Sequence, residues 1–176
     1  MASTPHLRSV TAVAPQSELE GVFRAYSGYV ATIAVRILGR DDEVDDVVQD
    51  VFLAALSGLK TIRSPESTKS WLGTIAVRTA SHRLRRRRLR SYIGLTDSPC
   101  PELPAPGVNP EEQALLQRVY RALDLLPVAE RVAWILRHIE GEQIDGVAQL
   151  AGCSLATAKR RLLAAHQAIE RTFHDK

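Results

Sequence analysis

Apolar residues recur at helical spacing through nearly the whole chain, and no segment sustains the strict alternation of a half-buried strand. Leu19, Val22, Phe23, Tyr26, Val30, Ile33 and Ile37 form a first stripe. It is introduced by Ser17-Glu18-Leu19-Glu20, in which the serine can cap and the second glutamate reach back, and it stops at Gly39. Val44, Val47, Val48, Val51, Phe52 and Ala55 form a second stripe that ends near Gly58. It opens on Asp41-Asp42, acids that suit the positive end of a helix dipole. Its valines alone would suit a strand, but the acids interleave at helical spacing and predict a helix. A loop with the turn and cap formers Ser64-Pro65 and Ser67 precedes a third helix, whose inward residues are Trp71, Leu72, Ile75, Ala76 and Thr79.

Periodicity then lapses. Residues 94–109 carry Pro99, Pro101, Pro104 and Pro106 and read as a semi-extended linker. Asn109-Pro110-Glu111-Glu112 restarts helix with a cap, a proline in the first turn and acids, followed by inward Leu115, Leu116, Val119 and Leu123. Pro127 opens the next helix, with Val132, Ile135, Leu136 and Ile139 inward and Gly141 as its stop. The predicted fold class is all-α: a loose tail over residues 1–16, a helical domain over 17–93, the linker, and a second helical domain over 110–176. Each domain is near the size at which one core is marginal, so partner contacts would add to stability.

The last segment has a definite form. A short helix with apolar Ile144, Val147, Ala148, Leu150 and Ala151 meets Gly152-Cys153-Ser154, and Ser154 can cap a longer helix. Ala148 and Gly152 are small where two helices cross and the chain turns. This is a helix-turn-helix, whose second helix would lie in a DNA major groove. On a wheel, Leu155, Ala158, Leu162, Ala165 and Ile169 face inward. Ala156, Thr157, Arg160, Leu163, Ala164 and Gln167 face away, with Lys159 and Arg161 on the flanks. Small residues and one arginine suit base edges, and the flanking cations suit phosphates. An ordinary solvated surface helix is the plainer alternative.

Composition alters this picture only in its distribution. Of 176 residues, 45% are hydrophobic but only 5% aromatic, so the core is aliphatic and rich in alanine. A net charge of +3 does not by itself imply nucleic acid. Residues 41–50 hold Asp41, Asp42, Glu43, Asp45, Asp46 and Asp50 with no base, however, and residues 83–90 hold Arg83, Arg85, Arg86, Arg87, Arg88 and Arg90 with no acid. Opposite blocks of this kind predict two different partners. Cys100 and Cys153 have no metal-ligand spacing and suggest no disulfide framework. A cytoplasmic protein without membrane insertion and without cofactors is expected. Asp46 and Asp50 sit at i, i+4, but no histidine or distant acid cluster completes a two-metal nuclease site, so neither a metal nor catalysis is expected.

Taken together, the two halves resemble the extracytoplasmic-function group of sigma-70-type bacterial RNA polymerase sigma factors, from Glu18 to Arg171. Three ordered stretches carry the resemblance. Asp45-Asp46-Val47-Val48-Gln49-Asp50-Val51-Phe52 is similar to the family's D-x-x-Q-[DE]-x-F helix, which docks on the polymerase clamp. Ser70-Trp71-Leu72 with Ile75-Ala76 is similar to the T-W-L-x-x-I-A helix of the downstream (−10) element. Leu126-Pro127-x-x-x-Arg131, Glu140-Gly141 and the run from Ser154 to Leu162 resemble the L-P-x-x-x-R, EG and S-V-G-T-V-K-S-R-L signature of the domain that reads the upstream (−35) element.

The resemblance implies a set of roles. Asp45, Asp46, Gln49, Asp50 and Phe52 would bind polymerase. Ser64, Ser67, Thr68, Lys69, Trp71 and Arg78 would handle the single-stranded downstream element, although Trp71 also suits a core position. Arg83, Arg85, Arg86, Arg87 and Arg88 would meet phosphates through counterion release. Arg137, Ser154, Thr157, Lys159, Arg160, Arg161, Leu163 and Ala164 would serve the upstream element. The implied partners are the clamp and flap of core RNA polymerase, promoter DNA and an anti-sigma factor, with the chain monomeric when free of them.

This sequence also departs from the family pattern. Arg78 stands where many relatives have asparagine, Gly73-Thr74 where they have an aromatic-arginine pair, and Asp145-Gly146 where Glu-Glu is usual. Leu163 and Ala164 replace larger or basic residues, and they either touch thymine methyl groups or make upstream recognition weaker or different. A rival expectation is a stand-alone helix-turn-helix regulator whose acidic helix is a dimer surface and whose DNA sites are palindromic.

Overall fold

The structure, a computed structural model, describes residues 14–58, 64–94 and 109–174. Seven helices make up its regular structure, and no strand occurs among the described residues. They are α1 (Ala14–Leu38), α2 (Val44–Ala55), α3 (Pro65–Tyr92), α4 (Pro110–Leu125), α5 (Val128–His138), α6 (Ile144–Leu150) and α7 (Leu155–His174). The predicted linker lies outside the described residues except at its ends.

Helix boundaries follow local chemistry in most places. The Ser64 hydroxyl accepts from the Ser67 amide at 3.2 Å, and Pro65 occupies the first turn of α3. The Asn109 side chain accepts from the Glu112 amide at 2.8 Å to start α4. Gly39 ends α1 with φ +72° and Gly141 follows α5 with φ +75°, a backbone region costly for any residue with a Cβ. Ser17 does not cap: α1 already begins at Ala14 and Ser17 lies within it. Pro15 falls in that first turn, where its missing N–H costs nothing, so the helix starts earlier than the serine suggests. Asp41 and Asp42 lie in the turn before α2, which has no side-chain cap and opens with Asp45 and Asp46 in its first turn.

Helices α1, α2 and α3 pack together on Val30, Ile33, Ile37, Val47, Val51, Leu72, Ala76 and Leu84, all of them buried. α4 to α7 close over Leu123, Val132, Ile135, Leu136, Val147, Ala158 and Ala165. Two leucines assigned inward are not buried. Leu115 is 54% exposed because it lies in the early turns of α4, whose principal neighbour is α7, and Leu155 is 45% exposed because it opens α7 ahead of its packed stretch.

The larger departure concerns the relation between the halves. They form one continuous apolar cluster instead of two separate cores. α5 packs against α1 and α3, and α6 packs against α3. Close approach is possible because Gly73 on α3 lacks a side chain: a Cβ there would stand 2.9 Å from Leu150 of α6 and 2.6 Å from the Tyr29 hydroxyl. That burial, with Glu142 and Glu140 of the second half next in effect, pushes the Tyr29 phenol up to about 12. Sequence periodicity identifies which face of each helix is apolar but cannot tell which half will cover it.

Candidate nucleic-acid and partner interfaces

The acidic face of α2 forms as expected, with Asp45, Asp46, Gln49 and Asp50 exposed. It is not free of cations. Arg83 of α3 donates to Asp50 at 2.6 Å and to Asp46 at 3.1 Å, and lies 3.9 Å from Glu43. The Asp50 hydrogen bond, more than the opposing effect of burial, keeps the Arg83 guanidinium raised above its ordinary pKa. Phe52 requires correction as a polymerase contact: it is buried, with its ring edge-to-face on Phe23 at 4.8 Å. Leu53 and Leu56, assigned no role from sequence, are instead 57% and 49% exposed. Asp45, Gln49, Leu53 and Leu56 follow one another at i, i+4, i+8 and i+11, which puts them on one outward strip. The signal was present in the sequence as two leucines off the valine stripe.

At the start of α3, Ser64 caps and Thr68 turns its hydroxyl back to the Ser64 carbonyl at 2.9 Å, so both serve the helix end. Ser67 and Lys69 are exposed, and the Lys69 ammonium sits 4.9 Å over the Tyr29 ring. Trp71 is half-buried against the core, its ring lying on Gly58. Arg78 is exposed further along the same helix.

The arginine block divides in two. Arg85, Arg86 and Arg90 are exposed and, with Arg78 and His82, line an open groove beside α2. Arg83 is bound to the acids. Arg87 donates to the Leu38 carbonyl at 3.0 Å, and Arg88 donates to the carbonyls of Leu126 and of Asp124, the latter at 3.1 Å. Burial, reinforced by the nearby Arg131, lowers the pKa of both Arg87 and Arg88. The expectation that Arg83, Arg87 and Arg88 face phosphates is therefore corrected: a helix turns about 100° per residue, and a run of arginines cannot all face outward.

The helix-turn-helix is formed by α6, a turn at Gly152 with φ +59°, and α7. Ser154 accepts from the Thr157 amide at 3.2 Å, and its hydroxyl lies 2.9 Å from that of Thr157, so both are engaged at the cap. Lys159, Arg160 and Leu163 project outward with Ala156 and Gln167, while Arg161 and Ala164 are half-buried. Arg137 braces the turn into α6 through the Glu142 carbonyl at 2.8 Å and Gln143 at 3.3 Å. No group of His, Cys, Asp or Glu that could hold a metal occurs among the described residues. None of the described helices is long and apolar enough to cross a membrane.

Comparison with known proteins identifies the family of the chain and matches its all-helical fold. The model of sigma-70 region 2 matches residues 22–90. The RNA polymerase sigma factor SigV of Bacillus subtilis is 32% identical over 130 residues, covering 74% of this chain and 75% of that protein. The ECF RNA polymerase sigma-E factor of Escherichia coli K12 is 30% identical over 155 residues, covering 82% and 81%. Among solved structures, the sigma factor RpoE in complex with the anti-sigma factor NepR from Bartonella quintana superposes with a TM-score of 0.67 at 21% identity, over 90% of this chain and 98% of that one. CnrH in complex with the cytosolic domain of CnrY superposes at 0.59 and 22%, over 92% and 90%. The last two attest the fold, and the two sequence relatives carry the assignment: the chain belongs to the extracytoplasmic-function group of sigma-70-type RNA polymerase sigma factors, and its function is in transcription initiation.

Proposed function

We propose that this sigma factor holds core RNA polymerase through the outward strip of α2 and reads promoter DNA at two places, with the first half of α3 at the downstream element and α7 at the upstream element. The observation that carries this reading is the chemical contrast between two exposed helix faces. On α2 the strip is acidic and apolar, with Asp45, Gln49, Leu53 and Leu56, which suits a basic, partly apolar protein surface. On α7 it is cationic and small, with Ala156, Lys159, Arg160 and Leu163, which suits a major groove. Ser67, Lys69 and Arg78 are the side chains of α3 offered to the separated strand, and Arg85, Arg86 and Arg90 those offered to phosphates. The chain supplies recognition and no catalytic step, needs no cofactor, acts in the cytoplasm and is monomeric without its partners. Because its structural relative RpoE is held by an anti-sigma factor, an anti-sigma partner is proposed for this chain as well.

The test is co-purification with core polymerase followed by transcription from a promoter library. Capture by core and initiation from a defined subset of promoters support the reading. Initiation that is the same with and without the chain contradicts it.

A further inference from the structure

The groove between α2 and the second half of α3 has a volume of about 740 Å³, within the range of small-ligand sites. Seven arginines line it against the three acids Asp42, Glu43 and Asp50, an excess of four positive charges. Those acids are already engaged. Arg40 bonds Asp42, Arg83 donates to Asp50 at 2.6 Å, and Glu43 lies 3.8 Å from Arg87 and 3.9 Å from Arg83. Arg78, Arg85, Arg86 and Arg90 are exposed and have no ion pair among the described residues. Arg78, His82, Arg86 and Arg90 follow one another at four-residue intervals, which sets them about 6 Å apart along the axis of α3. Deeper in, Arg83 Nε and Arg87 Nη1 are buried donors with no hydrogen-bond partner among the described residues. Burial, then the neighbouring Arg131 and Arg40, disfavour the charged form of Arg87, and an anion entering the groove would relieve that crowding.

We propose that this groove binds a small molecule bearing a chain of three or more phosphoryl groups, and that such a ligand competes with promoter DNA for Arg85, Arg86 and Arg90. The competition rests on the reading of those three arginines as phosphate contacts; the site itself does not. The charge excess selects the ligand class. In a nucleoside triphosphate each inner phosphoryl group carries one negative charge and the terminal one about two, which matches the surplus of the groove. Guanidiniums hold phosphoryl oxygens through paired hydrogen bonds, so neighbouring arginines along α3 suit consecutive groups of one chain. The His82 imidazole, exposed between Arg78 and Arg86, adds a further N–H donor. A DNA backbone approaches from outside and meets the exposed arginines of α3. A short phosphoryl chain can also enter the groove toward Arg40, which lines it from the turn between α1 and α2. The nucleotide and the inorganic chain share this chemistry, and the groove has room for either. Occupancy would make DNA engagement by α3 sensitive to the concentration of small polyphosphates.

The test titrates the full chain by calorimetry with inorganic tripolyphosphate, with GTP and with sulfate, at equal ionic strength and without divalent cations. Tripolyphosphate is expected to bind roughly tenfold or more tightly than sulfate, because several guanidiniums act on one chain. Arg40→Gln is expected to weaken that binding severalfold. Asp42→Asn, which removes an acid from the groove, is expected to tighten it severalfold, a gain that loss of folding could not imitate. Equal affinity for tripolyphosphate and GTP supports a site that reads the phosphoryl chain alone, and tighter GTP supports one that also holds the nucleoside. Tripolyphosphate no tighter than sulfate, or unchanged affinity in both variants, overturns the site. GTP binding without tripolyphosphate binding overturns the ligand class. Competition is read by anisotropy of a labelled forked DNA bound to the free chain at low salt, with tripolyphosphate added. Severalfold weaker DNA binding than in sulfate of the same ionic strength supports it, and an equal effect of the two anions overturns it. Arg86→Gln separates the two failures. Loss of tripolyphosphate binding with DNA affinity intact refutes the DNA reading of that arginine and leaves the groove site standing.

Discussion

Leu53 and Leu56 offer the sharpest way to ask whether the outward strip of α2 meets polymerase. Full burial of a leucine side chain is worth about 1.5–3 kcal/mol, and about half of each of these residues is still exposed, 57% and 49%. Covering the remainder would contribute roughly 1 kcal/mol per residue. The Leu53→Ala, Leu56→Ala double variant should therefore bind core polymerase about 2 kcal/mol more weakly, close to 30-fold in Kd. The free chain should hardly notice, since exposed positions away from caps and networks change stability by only about 0.5 kcal/mol. Asp45→Ala should behave differently, slowing association at low salt and converging on the wild type at high salt, because an exposed charge acts mainly through long-range attraction. The assay is competition between labelled wild type and each variant for core polymerase at two ionic strengths, with a melting curve as control. Binding of the double variant within twofold of wild type, at an unchanged melting temperature, would remove the α2 strip from the interface.

Gly58→Ala should push the Trp71 ring from its seat, an overpacking cost of about 1–3 kcal/mol, visible as a fall of about 2–4 °C in Tm per kcal/mol and a red shift in tryptophan emission; an unchanged melt refutes the contact. Arg160→Ala should weaken binding to the upstream element by about 1–3 kcal/mol and leave core binding intact, so equal losses in both contradict the division of labour. Arg86→Gln should reduce the slope of log affinity for DNA against log salt by about 1, whereas Arg83→Gln should leave that slope unchanged, and the reverse order would sink the sorting of the arginines. Burial, then Arg137 and His166, hold the His138 pKa below its ordinary 6.5, so the unfolded chain binds protons more readily than the folded one. Stability tied to neutral His138 is thus complete above about pH 6.5 and lost as pH falls below it; His138→Gln should lessen that loss of Tm, and an identical pH profile contradicts the assignment.

How much of this was legible from sequence depended on whether a feature is local. The caps at Ser64, Asn109 and Ser154, the glycine stops at Gly39 and Gly141 and the turn at Gly152 each depend on a few neighbouring residues, and all could be read directly. Ser17 misled because a good capping sequence was overridden by an earlier start at Ala14. Side-chain destinations across the fold were harder. Phe52 lies on the face that carries Val47 and Val51, and its burial follows from periodicity, yet its place in a motif suggested a contact surface. Arg131, one letter of the L-P-x-x-x-R run, proved to be a wholly buried cation on a carbonyl of α1, a partner 94 residues away that no local pattern announces. The continuous core of the two halves was hidden for the same reason: a proline-rich segment marks where helix stops, and contains no information about whether the helices on either side then meet.

The two charge blocks carry the same lesson about electrostatics. Read as letters, six acids over 41–50 and six arginines over 83–90 suggest two independent surfaces, each with its own partner. Folding brings them together, because α2 and α3 pack side by side and Arg83 reaches Asp46 and Asp50 while Arg87 approaches Glu43 at 3.8 Å. Counting all six arginines as phosphate contacts would give a salt slope of about −5, whereas the three exposed ones, Arg85, Arg86 and Arg90, give about −3. The acids are altered in the same way: Asp45 alone among Asp45, Asp46 and Asp50 lacks an ion pair with Arg83, which leaves Gln49 and the two leucines a larger share of the outward chemistry of α2. Burial of such partners is also what makes the interior cations sensitive to position, since a guanidinium removed from water must find carbonyls or carboxylates wherever the fold puts it. Arg87 finds its carbonyl at the end of α1 within the first half, whereas Arg88 and Arg131 find theirs across the fold at the ends of α4 and α1, so two of the cations that seem surplus in the sequence join its halves.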